Sequence, residues 1–153
     1  MRDAFKLPNS DVNSIIAIFR AIKDFPSLHE LSFTDDNAKR CVARMIRGTG
    51  QLWTAAATLI AAERERTAPG GQVDAWLEQF FDHVVRVCRI DNCWKQPPLL
   101  DGKEIAAALN ERPGPIVGKA GDLLFFYQID HPNATKDDAL SALPGLVSKA
   151  GLR

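Results

Sequence analysis

A chain of 153 residues with 46 % hydrophobic content is long enough to bury a continuous core without disulfides or a structural metal. Nineteen basic residues balance nineteen acidic ones, which excludes attraction of nucleic acid by net charge and leaves only a local patch to do it. Cys41, Cys88 and Cys93 are odd in number and lack Cys-x-x-Cys spacing, so they read as buried or idle thiols of a reducing, intracellular compartment, with mitochondrion, nucleus and cytosol all open.

No apolar run reaches the roughly eighteen residues of a membrane span, and the N-terminus carries no signal-peptide core. Asn9, Ser10 or Asp11 caps a first helix in which Val12, Ile15, Ile16, Phe19 and Ile22 recur at helical spacing, and it ends near Phe25-Pro26. After a linker over 27–33, Thr34-Asp35-Asp36 caps a second helix with Ala38, Cys41, Val42, Met45 and Ile46 on its inner face, stopped by Gly48-Thr49-Gly50. A third helix runs from about Gln51 to Arg66 with Leu52, Trp53, Ala56, Leu59 and Ile60 inward, and breaks at Ala68-Pro69-Gly70-Gly71. Val73, Trp76, Leu77, Phe80, Phe81, Val84, Val85 and Cys88 then repeat at three and four, the strongest amphipathic pattern in the chain, in a core helix that Trp94 ends.

Gln96-Pro97-Pro98 crosses as an extended linker, followed by helices near Asp101 to Asn110, Pro115 to Ile129 and Lys136 to Lys149, the last interrupted by Pro144-Gly145. No segment sustains period-two alternation with β-branched residues, so the fold class is all-α, an irregular bundle of about six or seven short helices. In Pro113-Gly114-Pro115, proline suits the first helical position because its missing N–H would be unpaired there, and Gly114 is expected to allow a backbone geometry closed to other residues. Free first-turn amides attract phosphate. Gly121 inside the following helix costs about 1 kcal/mol relative to alanine, which predicts a bend or a late start.

Arg40, Arg44 and Arg47 fall at i, i+4 and i+7 on the second helix with Lys39 beside them, and no acid occurs between Asn37 and Thr49. Such a stripe either bridges phosphates or forms a solvated face. A second candidate surface comprises Lys95, Lys103, Arg112 and Lys119 around Gly114 and its turn. Phosphoryl or nucleotidyl transfer needs carboxylates converging on magnesium and a phosphate-cradling loop, and the chain has neither in recognisable form. Asp35-Asp36 and Asp137-Asp138 each follow a threonine at a predicted helix start and read as caps. His29, His83 and His131 are scattered, with His83 expected at the surface or half-buried. Trp53 and Trp76 have apolar neighbours at helical spacing and read as core, while Trp94 suits either core or base stacking.

Leu99-Leu100-Asp101-Gly102-Lys103-Glu104-Ile105, Pro113-Gly114-Pro115-Ile116-Val117-Gly118-Lys119 and Gln128-Ile129-Asp130-His131-Pro132-Asn133-Ala134-Thr135-Lys136 together resemble the C-terminal region of class II CCA-adding enzymes, the tRNA nucleotidyltransferases, in their fungal or other eukaryotic form. Phe33-Thr34-Asp35-Asp36-Asn37, Gly50-Gln51-Leu52-Trp53 and the stretch from Asn92 to Lys103 extend the resemblance, which is most specific between Trp94 and Leu140. It implies a helical body-like portion over 1–94 and a tail-like subdomain over 95–153, or one compact domain made of both. It further implies a non-catalytic, tRNA-binding part of an enzyme whose separate head, on this or another chain, holds magnesium and adds CTP- and ATP-derived nucleotides to the tRNA 3′ end. No cofactor is then expected in this chain, and tRNA and the head are its partners, with RNA contacts drawn from Lys39, Arg40, Arg44, Arg47, Lys95, Lys103, Arg112, Gly114 and Lys119. Two rivals stay open. One is a standalone module gripping DNA or RNA phosphates like a helix-hairpin-helix; the other is a helical protein-interaction domain that self-associates through Leu123, Phe125 and Phe126.

Overall fold

Seven α-helices and no strand occur among the described residues of the computed structural model, which are 8–24, 36–67, 70 and 73–152. The helices are α1 (Asn9–Asp24), α2 (Asp36–Thr49), α3 (Trp53–Thr67), α4 (Val73–Asp82), α5 (Gly102–Leu109), α6 (Pro115–Asp130) and α7 (Lys136–Lys149). The fold is all-α, as the periodicity predicts. Phe25-Pro26, the 27–33 linker with His29, Thr34, Asp35, and Ala68, Pro69 and Gly71 of the expected break lie outside the described residues. The chain divides into two compact units, Met1–Lys95 and Gln96–Arg153.

In the N-terminal unit α2 is the best-segregated helix. Ala38, Val42, Ala43, Met45 and Ile46 have no solvent exposure at all. Trp53, Ala56, Ala57, Ile60 and Ala61 of α3 are buried at i, i+3, i+4, i+7 and i+8, one continuous stripe. Leu59 falls off that stripe and is exposed, contrary to expectation. Trp76 and Phe80 of α4 stack with centroids 5.1 Å apart, and Trp53 meets Phe81 at 5.6 Å, so both expected core tryptophans are in the core.

Two helices depart from their sequence patterns. Asp11 N–H and Val12 N–H both donate to the Pro8 carbonyl, at 3.0 and 3.1 Å, so Pro8 stands at the helix start in place of the capping residues expected at Asn9 to Asp11. Its large apolar residues Val12, Ile15, Ile16 and Phe19 are exposed, whereas Ala21 is buried, because the close approach to α2 and α3 is made through small side chains. The core helix α4 does not continue to Trp94. A π turn over His83–Val87 follows it, with Cys88 N–H donating to the His83 carbonyl at 2.8 Å, and Arg89 at φ 54° takes the chain out of the helix. The inserted residue rephases the pattern, leaving Val84 buried and Val85 exposed.

The C-terminal unit is organised by two capping boxes. Asp101 Oδ1 accepts from the Lys103 and Glu104 amides at 2.8 Å each, and Glu104 Oε2 accepts from Asp101 N–H at 2.9 Å. At α7 the Thr135 hydroxyl accepts from Asp138 N–H at 3.3 Å while Asp138 accepts from Thr135 N–H at 2.8 Å. Glu104 also pairs with Lys136, tying the first turn of α5 to that of α7. Leu100, Ile105, Leu109, Val117, Leu124, Leu143 and Val147 form the core between the three helices.

Two expected interruptions are absent. α7 passes through Pro144 without a break, held by Leu143 and Val147, which are buried on either side of it. α6 starts at Pro115 despite Gly121, which faces α5: a β-carbon there would stand 3.8 Å from Ile105 Cδ1, ordinary contact.

Leu143→Ala is expected to lower the stability of the C-terminal unit by about 2–5 kcal/mol, through lost burial and the cavity left behind. Thr135→Ala, which removes one half of a capping box, is expected to cost about 1 kcal/mol. Gly118→Ala should add roughly 0.5–1 kcal/mol, since the position is helical and a β-carbon meets nothing within 4 Å. Urea unfolding of the full chain measures all three.

Candidate nucleic-acid interface

Because one side of α2 is fully buried, its other side is fixed toward solvent. Arg40, Arg44 and Arg47 are exposed on it and Lys39 is half-buried at its edge. The charges also act inward on neighbouring groups. Arg44 opposes the rise that burial imposes on the Cys41 thiol, Arg47 does the same at Cys93, and Lys39 acts on both Cys88 and His83. The sequence-predicted stripe is therefore a single contiguous feature of one helix.

The second predicted surface divides. Lys95 belongs to the N-terminal unit, where its ammonium lies 5.1 Å from the centroid of the Trp94 ring. Trp94 is half-buried, and a β-carbon on Gly50, a residue at φ +58°, would stand 3.8 Å from the ring. Lys103, Arg112, Gly114 and Lys119 belong to the C-terminal unit and are all exposed. A β-carbon on Gly102 would lie 3.9 Å from Val117 Cγ1, so the first turns of α5 and α6 are adjacent.

The Pro113-Gly114-Pro115 corner is exposed. Pro115 occupies the first turn of α6, no side chain caps that helix, and no acid lies in the first turn, so its positive end is open to an anion. The expected reason for Gly114 is not the right one. Its backbone is extended at φ 176°, a conformation any residue adopts, and a β-carbon would meet only the Arg112 carbonyl at 3.7 Å.

His83 is buried, not at the surface or half-buried as expected, and its Nε2 lies 3.1 Å from Cys88 Sγ. The i, i+5 separation of this pair is set by the π turn, which helical periodicity does not foretell. Burial lowers the affinity of His83 for a proton, with Lys39 adding to the effect and Asp82 opposing it. Burial likewise raises the Cys88 thiol, and it pushes the Cys93 thiol up to about 11. A neutral imidazole accepting from an intact thiol is the protonation state these shifts favour. Among the described residues no three His, Cys, Asp or Glu side chains gather to hold a metal ion. None of the described helices is long and apolar enough to cross a membrane. Phe125 is buried and Leu123 and Phe126 are half-buried, so the run expected to mediate self-association is not an open patch.

An all-α chain with a basic helix face is similar to fungal tRNA nucleotidyltransferases. It is 34 % identical over 67 residues to the mitochondrial CCA tRNA nucleotidyltransferase of Candida glabrata, covering 44 % of this chain and 13 % of that protein. With the mitochondrial CCA tRNA nucleotidyltransferase of Saccharomyces cerevisiae it shares 32 % identity over 60 residues, 39 % of this chain and 11 % of that protein. With the tRNA nucleotidyltransferase cca2 of Schizosaccharomyces pombe it shares 21 % over 150 residues, 95 % of this chain and 30 % of that protein. The chain thus spans less than a third of the length of these curated relatives. No protein-family model and no solved structure matches it.

The depressed His83 has a consequence for stability. The unfolded chain takes up the histidine proton first, so stability is complete above the ordinary histidine value near 6.5 and declines as pH falls through it, until the folded form also protonates. His83→Gln is expected to abolish that part of the pH slope between pH 7 and 5, measured by urea unfolding. In the same chain, iodoacetamide at pH 8 should modify Cys93 only after unfolding, as read by peptide mass spectrometry.

Proposed function

We propose that the chain is the non-catalytic, tRNA-binding C-terminal portion of a CCA-adding tRNA nucleotidyltransferase. In this reading it holds the tRNA while a separate head, with its magnesium, CTP and ATP, extends the 3′ end. The observation that carries the reading is the coincidence of partial similarity to fungal CCA tRNA nucleotidyltransferases with an exposed arginine stripe on a helix that cannot rotate. Neutral overall charge makes that placement matter, because attraction for RNA must come from where the cations stand.

The chemistry of the contact follows from its donors. Guanidinium groups and helix-end amides bind phosphate and carry no base preference by themselves, so they suit recognition of a folded RNA by shape. Arg40, Arg44 and Arg47, with Lys39 at their margin, are the primary grip. Lys103, Arg112 and Lys119 around the open start of α6 are a second one, and Lys95 contributes from the N-terminal unit.

Binding of the full chain to tRNA should weaken with salt, and Arg40→Ala/Arg44→Ala/Arg47→Ala should reduce the log–log slope by about 0.7–0.9 for each phosphate contact removed. Fluorescence anisotropy with labelled tRNA across a salt series measures this, with duplex DNA as competitor. Equal competition by duplex DNA favours the helix-hairpin-helix-like module, and absence of binding at low salt together with self-association favours the protein-interaction domain. No nucleotide incorporation is expected from the chain alone in the presence of magnesium, CTP and ATP.

A further inference from the structure

We propose that the cavity between α1 and the C-terminal end of α2 receives one unstacked base of the RNA whose phosphates lie along Arg40, Arg44 and Arg47; this rests on the RNA-binding reading above. The cavity measures about 500 Å³ and is lined by Asn13, Ile16 and Arg20 of α1 and by Met45, Gly48 and Thr49 of α2. No acid lines it among the described residues.

Its chemistry matches a base in each respect. A base has two flat apolar faces, and Ile16 and Ala17 of α1 offer it an apolar wall, whereas Met45 is wholly excluded from solvent and offers no surface to it. A base edge presents donors and acceptors, and Asn13 and Arg20 are exposed residues of the lining that carry an amide and a guanidinium, the groups that pair with adenine and guanine edges. Thr49 is buried, and its hydroxyl already donates to the Met45 carbonyl at 2.8 Å, so it closes the wall.

Gly48 leaves the side of the cavity open. It is exposed and helical, and a β-carbon there meets nothing within 4 Å. Arg44 lies four residues earlier on the same face of α2, about 6 Å along the axis. Arg44 and Gly48 thus stand one turn apart on the exposed side of α2, which makes the basic stripe and the cavity neighbours on that helix.

The test uses the full chain with a stem-loop RNA and a counterpart whose loop is abasic. The wild-type chain is expected to bind the base-bearing loop at least about fivefold more tightly. Gly48→Leu, which fills the open side, should lower that affinity to the abasic value, while Gly48→Ala keeps the preference. Asn13→Ala should reduce the preference without changing the salt slope, and it decides the matter if Gly48→Leu fails to fold. Equal affinity of the wild type for both RNAs, or a preference that survives both Gly48→Leu and Asn13→Ala, overturns the cavity proposal and leaves the RNA-binding reading standing. Absence of binding to either RNA at low salt overturns that reading, and this proposal with it.

Discussion

Ala38, Val42, Met45 and Ile46 of α2 are wholly excluded from solvent, and a helix that buries one face so completely cannot turn about its axis without exposing it. Burial of a valine, isoleucine or methionine side chain is worth about 1.5–3 kcal/mol each, so rotation of α2 would cost an amount comparable with the whole stability of a typical domain. That packing alone sets the direction of Arg40, Arg44 and Arg47. It also sets the wall of the cavity beside α1, because Met45 and Thr49 belong to the same helix. The exposed chemistry of the N-terminal unit is thus a by-product of its core.

The C-terminal unit solves a related problem at helix ends. α5 and α7 satisfy their first amides with carboxylate and hydroxyl oxygens from their own capping boxes, and the Glu104–Lys136 pair links the two starts. The amides and the Lys136 ammonium hold Asp101, Glu104 and Asp138 below the usual carboxylate range. α6 alone among the three begins with proline and lacks a side-chain cap. Two helix starts are closed by their own side chains, and the third carries no side-chain cap.

Much of this was legible in the residue pattern. The buried face of α2, most of the buried stripe of α3 and the capping role of Asp138 at α7 follow from spacing that one helical turn enforces, whereas the capping box of α5 was not anticipated. The failures have physical causes. Large apolar residues in α1 predicted burial, yet Ala21 makes the close contact and Phe19 is 66 % exposed, because fit depends on the size of a side chain as well as its polarity. The π turn at His83 shifts the register by one residue, which brings His83 to Cys88 and turns Val85 outward. Gly114 was expected to answer a conformational demand that its extended backbone does not make. The cavity beside Gly48 arises between two helices distant in sequence, and neither helix pattern encodes it.

On the proposed function, this face of α2, and not a diffuse charge, is what meets the sugar-phosphate surface of a folded tRNA. Hydroxyl-radical footprinting of tRNA with the full chain, and again with the three arginines replaced by alanine, tests it most directly. The account predicts protection concentrated in one region of the tRNA sugar-phosphate backbone and its loss in the variant. Protection that is absent, spread evenly along the RNA, or unchanged by the substitutions contradicts it.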